Sequence, residues 1–236
     1  MIGVIIVTYH SEKHIGICLA SVFSQQLPVK VLVVDNASED ETVSKVQLFP
    51  EITLIKNETN LGFSKAVNQG IRFFLEQGTE YILILNPDTH LERYALKNML
   101  KTLEGDPKRM IVQPLLTMMK SPKLINTWGN EYKGFGIVSL GGYKKSTFPQ
   151  GDRSIQYASG ACMLVRSEAF RKSGLLDERY FLYFEDTEFS QRIRKAGDEI
   201  WLSAEAKVRH DYRKPLSLRK LGSYFKSWRQ FKSLTK

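Results

Sequence analysis

Four short apolar runs, each cut off by polar residues and each followed by helix signals, constrain this chain more than any other feature. They cover residues 2–7, 29–34, 52–55 and 82–85, each about the length of a buried strand. After the first, Ser11 can cap a helix whose apolar positions Ile15, Leu19, Val22 and Phe23 recur at helical spacing. After the second, Glu39, Asp40 and Glu41 suit the positive first turn of a helix. The third leads through a loop at 57–62 to Ser64 and a helix with Val67, Ile71, Phe74 and Leu75 on one face, with Gly78 placed to end it. The fourth is followed by a helix expected over 91–103, closed by Gly105 and Pro107, and residues 110–115 make a fifth strand. Strand and helix in alternation predict an α/β fold: a Rossmann-like, mainly parallel sheet flanked by helices.

In such sheets ligands gather at the carboxyl ends of the strands, so the residues that terminate each run carry the functional signal. Thr8, Asp35 and Asp88 stand at three strand ends, with Asn86 beside the last. Asp88 either opens the turn after its strand or serves as a ligand for a divalent cation. Glycine-rich phosphate loops are missing: neither GxGxxG after the first strand nor GxxxxGK[ST] occurs. That counts against a dinucleotide-dependent dehydrogenase and a P-loop NTPase.

Beyond residue 115 the rhythm changes. Residues 124–143, with Trp128, Tyr132, Phe135, Tyr143 and five glycines, read as irregular hairpin structure over one end of the sheet. A strand over 161–165 and a short helix over 167–172 precede an aromatic stretch leading into a helix with Phe189, Ile193 and Ala196 on one face, ended by Gly197. Glu185 and Asp186 begin that helix, where an aspartate either caps the helix or acts as a base. No linker interrupts residues 1–212, which are expected to form one catalytic domain, with 213–236 as a separate tail. Cys18 and Cys162 belong to no metal-binding or disulfide spacing, and no apolar run reaches the length of a membrane span. A cytoplasmic protein is expected, peripheral to the inner face of the cell membrane.

At this point the motifs carry a resemblance. In order, VIIVTYHSEKHI, VLVVDNASED, NLGFSKAVNQGI, ILILNPDT, YASGACMLVRSEAF, GLLDERYFLYFEDTEFSQRIRKAG and the late Val208-Arg209-His210 resemble the motif series of family 2 glycosyltransferases with the GT-A fold. The LNPD and FLYFEDTEF versions look most like the bacterial rhamnosyltransferase branch. The resemblance implies transfer of rhamnose or another hexose, with inversion, from a dTDP- or UDP-linked donor to a polysaccharide or lipid-linked saccharide acceptor. It also implies roles for individual residues. Thr8 and Tyr9 border the nucleotide, Asp35 binds the base, and Asn60, Gly62 and Asn68 line the nucleotide side of the cleft, with Asn86 and Gly160 beside the donor. Asp88 is the principal ligand of a Mg²⁺ or Mn²⁺ ion on the diphosphate. His210 either completes that metal site or satisfies a local hydrogen bond. Asp186, paired with Glu185, is the general base. Asn86 stands where many members carry the first carboxylate of a DxD motif, which lowers the negative charge offered to the metal. Two other classes are weighed: a nucleotidyltransferase, which would be expected to carry a basic Gly-rich loop after its first strand, and a sugar-nucleotide-binding protein without turnover, which has no need of a base.

The formal charge of +9 is unevenly placed. Residues 213–236 hold eight Lys or Arg and no acidic residue, so the excess points to an anionic partner of the tail and not to nucleic acid. Leu218, Leu221, Phe225, Trp228, Phe231 and Leu234 recur at helical spacing between the basic residues, the pattern of an amphipathic helix. Such a helix either rests in the headgroup region of an anionic bilayer or packs its apolar stripe on the domain. Flotation with anionic vesicles is expected to retain the full chain and lose a version ending at Lys214. Equal binding by the two would contradict the membrane role.

Overall fold

The structure, a computed structural model, describes residues 1–132 and 138–211. The basic helix expected over 213–236 lies outside the described residues, as does the middle of the expected 124–143 hairpin. The first half of the chain runs β1 (Ile2–Thr8), α1 (Ile15–Phe23), β2 (Val29–Asp35), α2 (Thr42–Val46), β3 (Thr53–Lys56), α3 (Phe63–Glu76), β4 (Tyr81–Leu85), β5 (Thr89–Leu91) and α4 (Ala95–Glu104). The second half runs β6 (Arg109–Met118), β7 (Ser121–Thr127), β8 (Asn130–Tyr132), β9 (Val138–Leu140), β10 (Arg153–Ser154), β11 (Cys162–Arg166), α5 (Ser167–Ser173), α6 (Glu185–Lys195) and β12 (Glu199–His210).

Among the described residues one large sheet takes the order β10-β12-β6-β11-β4-β1-β2-β3, with β5 on β12 and β7 on β6. β8 and β9 form a separate hairpin. Side chains alternate across β1: Ile2, Val4 and Ile6 pack with α1, α2 and α4, whereas Ile5 and Val7 pack with α3, α5 and α6. Burial on both faces explains why this strand reads as a continuous apolar run. Helices therefore cover both faces, as the α/β pattern predicts. Gly78 has φ +67° just after α3, the left-handed conformation that a glycine accepts without strain.

Three features differ from the sequence-based expectation. The sheet is mixed, because β11 inserts antiparallel between β4 and β6, while β1, β2, β3 and β4 keep the parallel order. The helix expected from Leu91 starts later, at Ala95, because residues 89–91 pair with β12, Thr89 opposite His210 and Leu91 opposite Val208. Pairing with a distant strand overrides local helical spacing there. β12 itself was not anticipated; its Ile200, Leu202, Ala206 and Val208 are buried, and it lies parallel to β6 with an irregularity between Ser203 and Lys207.

Direction within this sheet decides what meets at its edges. β11 is antiparallel to both β4 and β6, so those two point the same way, and β12 follows β6. The carboxyl ends of β1, β2, β4 and β12 thus lie at one edge together with the start of β11. No helix among the described residues is long and apolar enough to cross a membrane.

Candidate active site

The floor of the edge is built at β1 and β2. Thr8 and Asp35 are register neighbours, and the Thr8 hydroxyl donates to Asp35 Oδ1 at 2.7 Å. Ser38 adds its backbone N–H to Oδ2 at 2.9 Å and its hydroxyl to Oδ1 at 2.6 Å. Asp35 is therefore held rigidly, with acceptor capacity left on Oδ2. Tyr9 is exposed at the rim, its ring against His10. Next to it, Asn36 donates to the Gly62 carbonyl at 3.2 Å, and Gly62 N–H donates to Asn60 Oδ1 at 2.9 Å. Gly62 has φ +86°, and a Cβ there would fall 2.7 Å from the Phe181 carbonyl oxygen, so only glycine fits. That close approach brings the 180s segment against the loop before α3, where Phe63 N–H donates to the Phe181 carbonyl at 2.7 Å. Asn68, expected on the nucleotide side, is buried on α3. Its amide donates to the Leu176 carbonyl at 2.8 Å and to Glu178 at 3.1 Å and accepts from Leu176 N–H at 3.1 Å, which ties α3 to the segment leading into α6.

At the end of β4, Asn86 N–H donates to the Ala161 carbonyl at 2.9 Å and its own carbonyl accepts from Thr89 Oγ1 at 2.6 Å. The turn delivers Asp88, whose carbonyl accepts from Asp211 N–H at 2.9 Å, so the end of β12 is tied directly to it. Asp88 Oδ1 faces His210 Nε2 at 3.3 Å. Nδ1 of the same ring lies 2.9 Å from Asn126 Oδ1, a buried residue on β7 that the sequence did not single out. With Nδ1–H donating to Asn126, Nε2 faces the carboxylate: it donates to Asp88 when the ring is protonated and offers its lone pair to a cation when the ring is neutral. His14 stands 3.6 Å from Asp211 at the border of this group. Burial acts to raise the Asp88 pKa, but the adjoining His210 imidazole and the charge of His14 outweigh it and hold the carboxyl below its usual range.

Two acceptors facing each other across a short gap suit a shared cation. Asp88 Oδ1 is buried and makes no hydrogen bond of good geometry, so the residues present fit a divalent metal. Among the described residues no group of three His, Cys, Asp or Glu is arranged to hold one unaided. Two protein ligands are nevertheless enough for Mg²⁺ or Mn²⁺ when substrate phosphates and water complete the shell. The nearby cysteines do not contribute: both are buried, and burial pushes the Cys18 thiol up to about 12.

Across the edge, α6 presents Glu185 and Asp186. The turn before it is strained, with Tyr183 and Phe184 both at φ +72°, an unusual pair of left-handed aromatic residues. Asp186 Oδ2 accepts Gly160 N–H at 2.8 Å, and Oδ1 accepts Thr187 N–H at 2.6 Å and Thr187 Oγ1 at 3.1 Å. Asp186 is the second residue of the helix and not its N-cap, which is Phe184, so its carboxyl binds Thr187 within the first turn without capping the helix. Burial raises its pKa, against the opposing effect of those donors. Glu185 is raised further, first by burial and then by the charge of Asp186, and its Oε2 is buried without a partner. Gly160 contributes its N–H; a Cβ there would sit in ordinary contact with Asp186, so the glycine is not demanded by space.

Comparison with known proteins agrees with this geometry. The family model for glycosyl transferase family 2 matches residues 3–174. An N-acetylglucosaminyl-diphospho-decaprenol L-rhamnosyltransferase of Mycobacterium tuberculosis is 30% identical over 227 residues, covering 86% of this chain and 72% of its own. A dTDP-rhamnosyl transferase of Shigella flexneri is 26% identical over 211 residues, covering 87% and 67%. Among solved structures, GalNAc-T7 with UDP, GalNAc and Mn²⁺ superposes with a TM-score of 0.75 at 14% identity, over 95% of this chain and 47% of that one. A mannosyltransferase of Pyrobaculum calidifontis with GDP-Man and Mn²⁺ gives 0.67 at 20% identity, over 91% and 58%. The chain spans about half the length of these solved structures, whose likeness establishes the GT-A architecture. With a family model matching most of its length and rhamnosyltransferases among its relatives, the chain belongs to glycosyl transferase family 2.

Proposed function

We propose that the chain moves a sugar, rhamnose or a related hexose, from a dTDP- or UDP-linked donor to a lipid-linked or polysaccharide acceptor, with inversion at the anomeric carbon. The observation that carries this reading is a short backbone bridge. Asn86 N–H binds the Ala161 carbonyl, and the preceding residue, Gly160, donates its N–H to Asp186 Oδ2. The strand end that bears Asp88 and the carboxylate in the first turn of α6 are thereby tied to adjacent residues at one edge of the sheet, which supports a shared site. The donor names follow the dTDP-rhamnosyl relative, and the lipid-linked acceptor follows the decaprenol-linked one.

In this reading Thr8, Tyr9 and the free acceptor position of Asp35 receive the nucleoside, with the Asn60–Gly62 loop at its side. Asp88 and His210 would hold a divalent cation, which when bound supplies positive charge against the leaving diphosphate. Asn126 fixes the His210 ring so that Nε2 faces the site. Asp186 accepts the proton of the attacking acceptor hydroxyl, whose oxygen approaches the anomeric carbon from the side opposite the diphosphate. Burial, which raises the pKa of Asp186, makes it a stronger proton acceptor, while the Gly160 and Thr187 donors keep it oriented. Glu185 lies behind it, away from water.

Two variants separate these roles. Asp186→Asn is expected to lower kcat by about 10² to 10⁴ while leaving calorimetric binding of dTDP or UDP with Mn²⁺ unchanged; retained turnover would remove Asp186 as the base. Glu185→Gln reports on burial of the second carboxyl. Its folded-state pKa is raised above the ordinary value of 4.5, so the stability it confers is complete below that value and is lost as pH rises toward the folded pKa. The glutamine variant should therefore have a higher denaturation midpoint than wild type at neutral pH, with the gap closing as pH falls toward 4.5. A less stable variant at neutral pH would contradict the assignment.

A further inference from the structure

Beyond the cleft, a second concavity of about 400 Å³ is lined by Trp128, Asn130, Arg153, Ser154 and Arg194, together with neighbouring backbone. Its chemistry is one-sided. Among the described residues no carboxylate lines it, and neither Arg153 nor Arg194 forms an ion pair with any of them. The Arg153 guanidinium lies 4.7 Å from the centroid of Trp128, and Lys145 lies 5.2 Å from the same ring, so two cations share one indole. Arg194 rests over Tyr157 at 6.0 Å. Asn130 is 93% buried, and its Oδ1 accepts from the Thr127 hydroxyl at a long 3.5 Å. Arg153 and Arg194 are exposed, so their charges stand open to solvent on one wall of a concavity, an arrangement that attracts an acceptor-rich anion. Guanidinium groups suit phosphate oxygens in particular, through paired N–H donors.

The position of this cavity relative to the base narrows the choice of anion. Arg194 lies on the same helix as Asp186, eight residues further on, or about 12 Å at the helical rise. Between them Ser190 Oγ accepts Ala158 N–H at 3.2 Å, which joins the segment lining the cavity to the one that ends at Gly160. A sugar ring with its hydroxyl at Asp186, the diphosphate on its anomeric carbon and the reach of the Arg194 side chain together cover this separation. We propose that the cavity around Trp128, Arg153 and Arg194 binds the diphosphate that links the acceptor saccharide to its carrier. This rests on the transferase reading above and adds to it a separate anion site on the acceptor side.

The experiment is calorimetry on the full chain in EDTA, which removes any metal-dependent diphosphate binding at Asp88. The probes are an N-acetylglucosaminyl diphosphate bearing a short prenyl chain, the octyl glycoside of the same sugar, and inorganic pyrophosphate. The wild type is expected to bind the diphosphate saccharide, and Arg153→Ala with Arg194→Ala together should weaken it at least tenfold, an effect diminished by salt. Binding of dTDP or UDP with Mn²⁺ by the same double variant should be unchanged, which verifies its fold and keeps the donor assignment separate. Loss of donor binding by the wild type would instead strike the transferase reading. Equal affinity of wild type and double variant, equal affinity for the uncharged octyl glycoside, or failure of the wild type to bind the diphosphate saccharide would each overturn the proposal. If pyrophosphate alone binds as tightly as the saccharide, the cavity is a free-anion site and the acceptor assignment fails.

Discussion

Antiparallel pairing of β11 between β4 and β6 is the constraint on which the rest of the structure depends. In an uninterrupted parallel sheet, only loops that leave carboxyl ends would meet at the functional edge. Reversing one strand brings an amino-terminal segment, residues 159–161, to that edge as well. Its backbone then does what a side chain would have to do elsewhere. Ala161 holds the Asn86 turn, Gly160 holds Asp186, and Ser159 N–H is itself fixed by the buried Gln113 at 2.7 Å. Backbone donors anchored in a buried strand move little, so the two sides of the cleft are positioned by the core and not by flexible loops.

The two sides are tuned in opposite directions. Asp88 keeps its charge because His210 and His14 surround it with positive potential, which suits a residue that must remain an anion to bind a cation. Asp186 and Glu185 are pushed the other way by burial and, for Glu185, by a neighbouring like charge. Carboxyls whose environments drive their pKa values apart are the usual sign of a division of labour between ligand and proton acceptor. Holding Glu185 Oε2 without a partner opposes stability, and the left-handed turn at Tyr183 and Phe184 adds to that cost. Both lie immediately before Asp186, the residue proposed as the base.

Much of this was legible in the sequence because it is local. A buried strand that ends in a polar residue is a local pattern; Thr8, Asp35 and Asp88 were singled out that way, and the strands that carry them end at one edge of the sheet. Glu185 and Asp186 were placed correctly at a helix start, since an acidic pair before helical spacing is a local pattern. What was not legible depends on distant partners. Residues 89–91 look like the beginning of a helix until β12 is present to pair with them, and Asn126 has no local feature that distinguishes it from any polar residue on a strand. Asn68 shows the same dependence on distant partners. Its residue type suits a ligand contact, but its orientation commits the amide to Leu176, and orientation is not written in spacing. The Arg153 and Arg194 cavity is likewise assembled from β10 and α6, far apart in sequence.

The proposed function depends on Asp88 and His210 acting as one cation site beside the nucleotide. Anomalous scattering from crystals grown with Mn²⁺ and dTDP or UDP tests this most directly. A manganese peak bonded to both Asp88 Oδ1 and His210 Nε2, with the diphosphate on its open side, is the predicted result. A bound nucleotide without manganese at these atoms, or manganese held elsewhere, would contradict it.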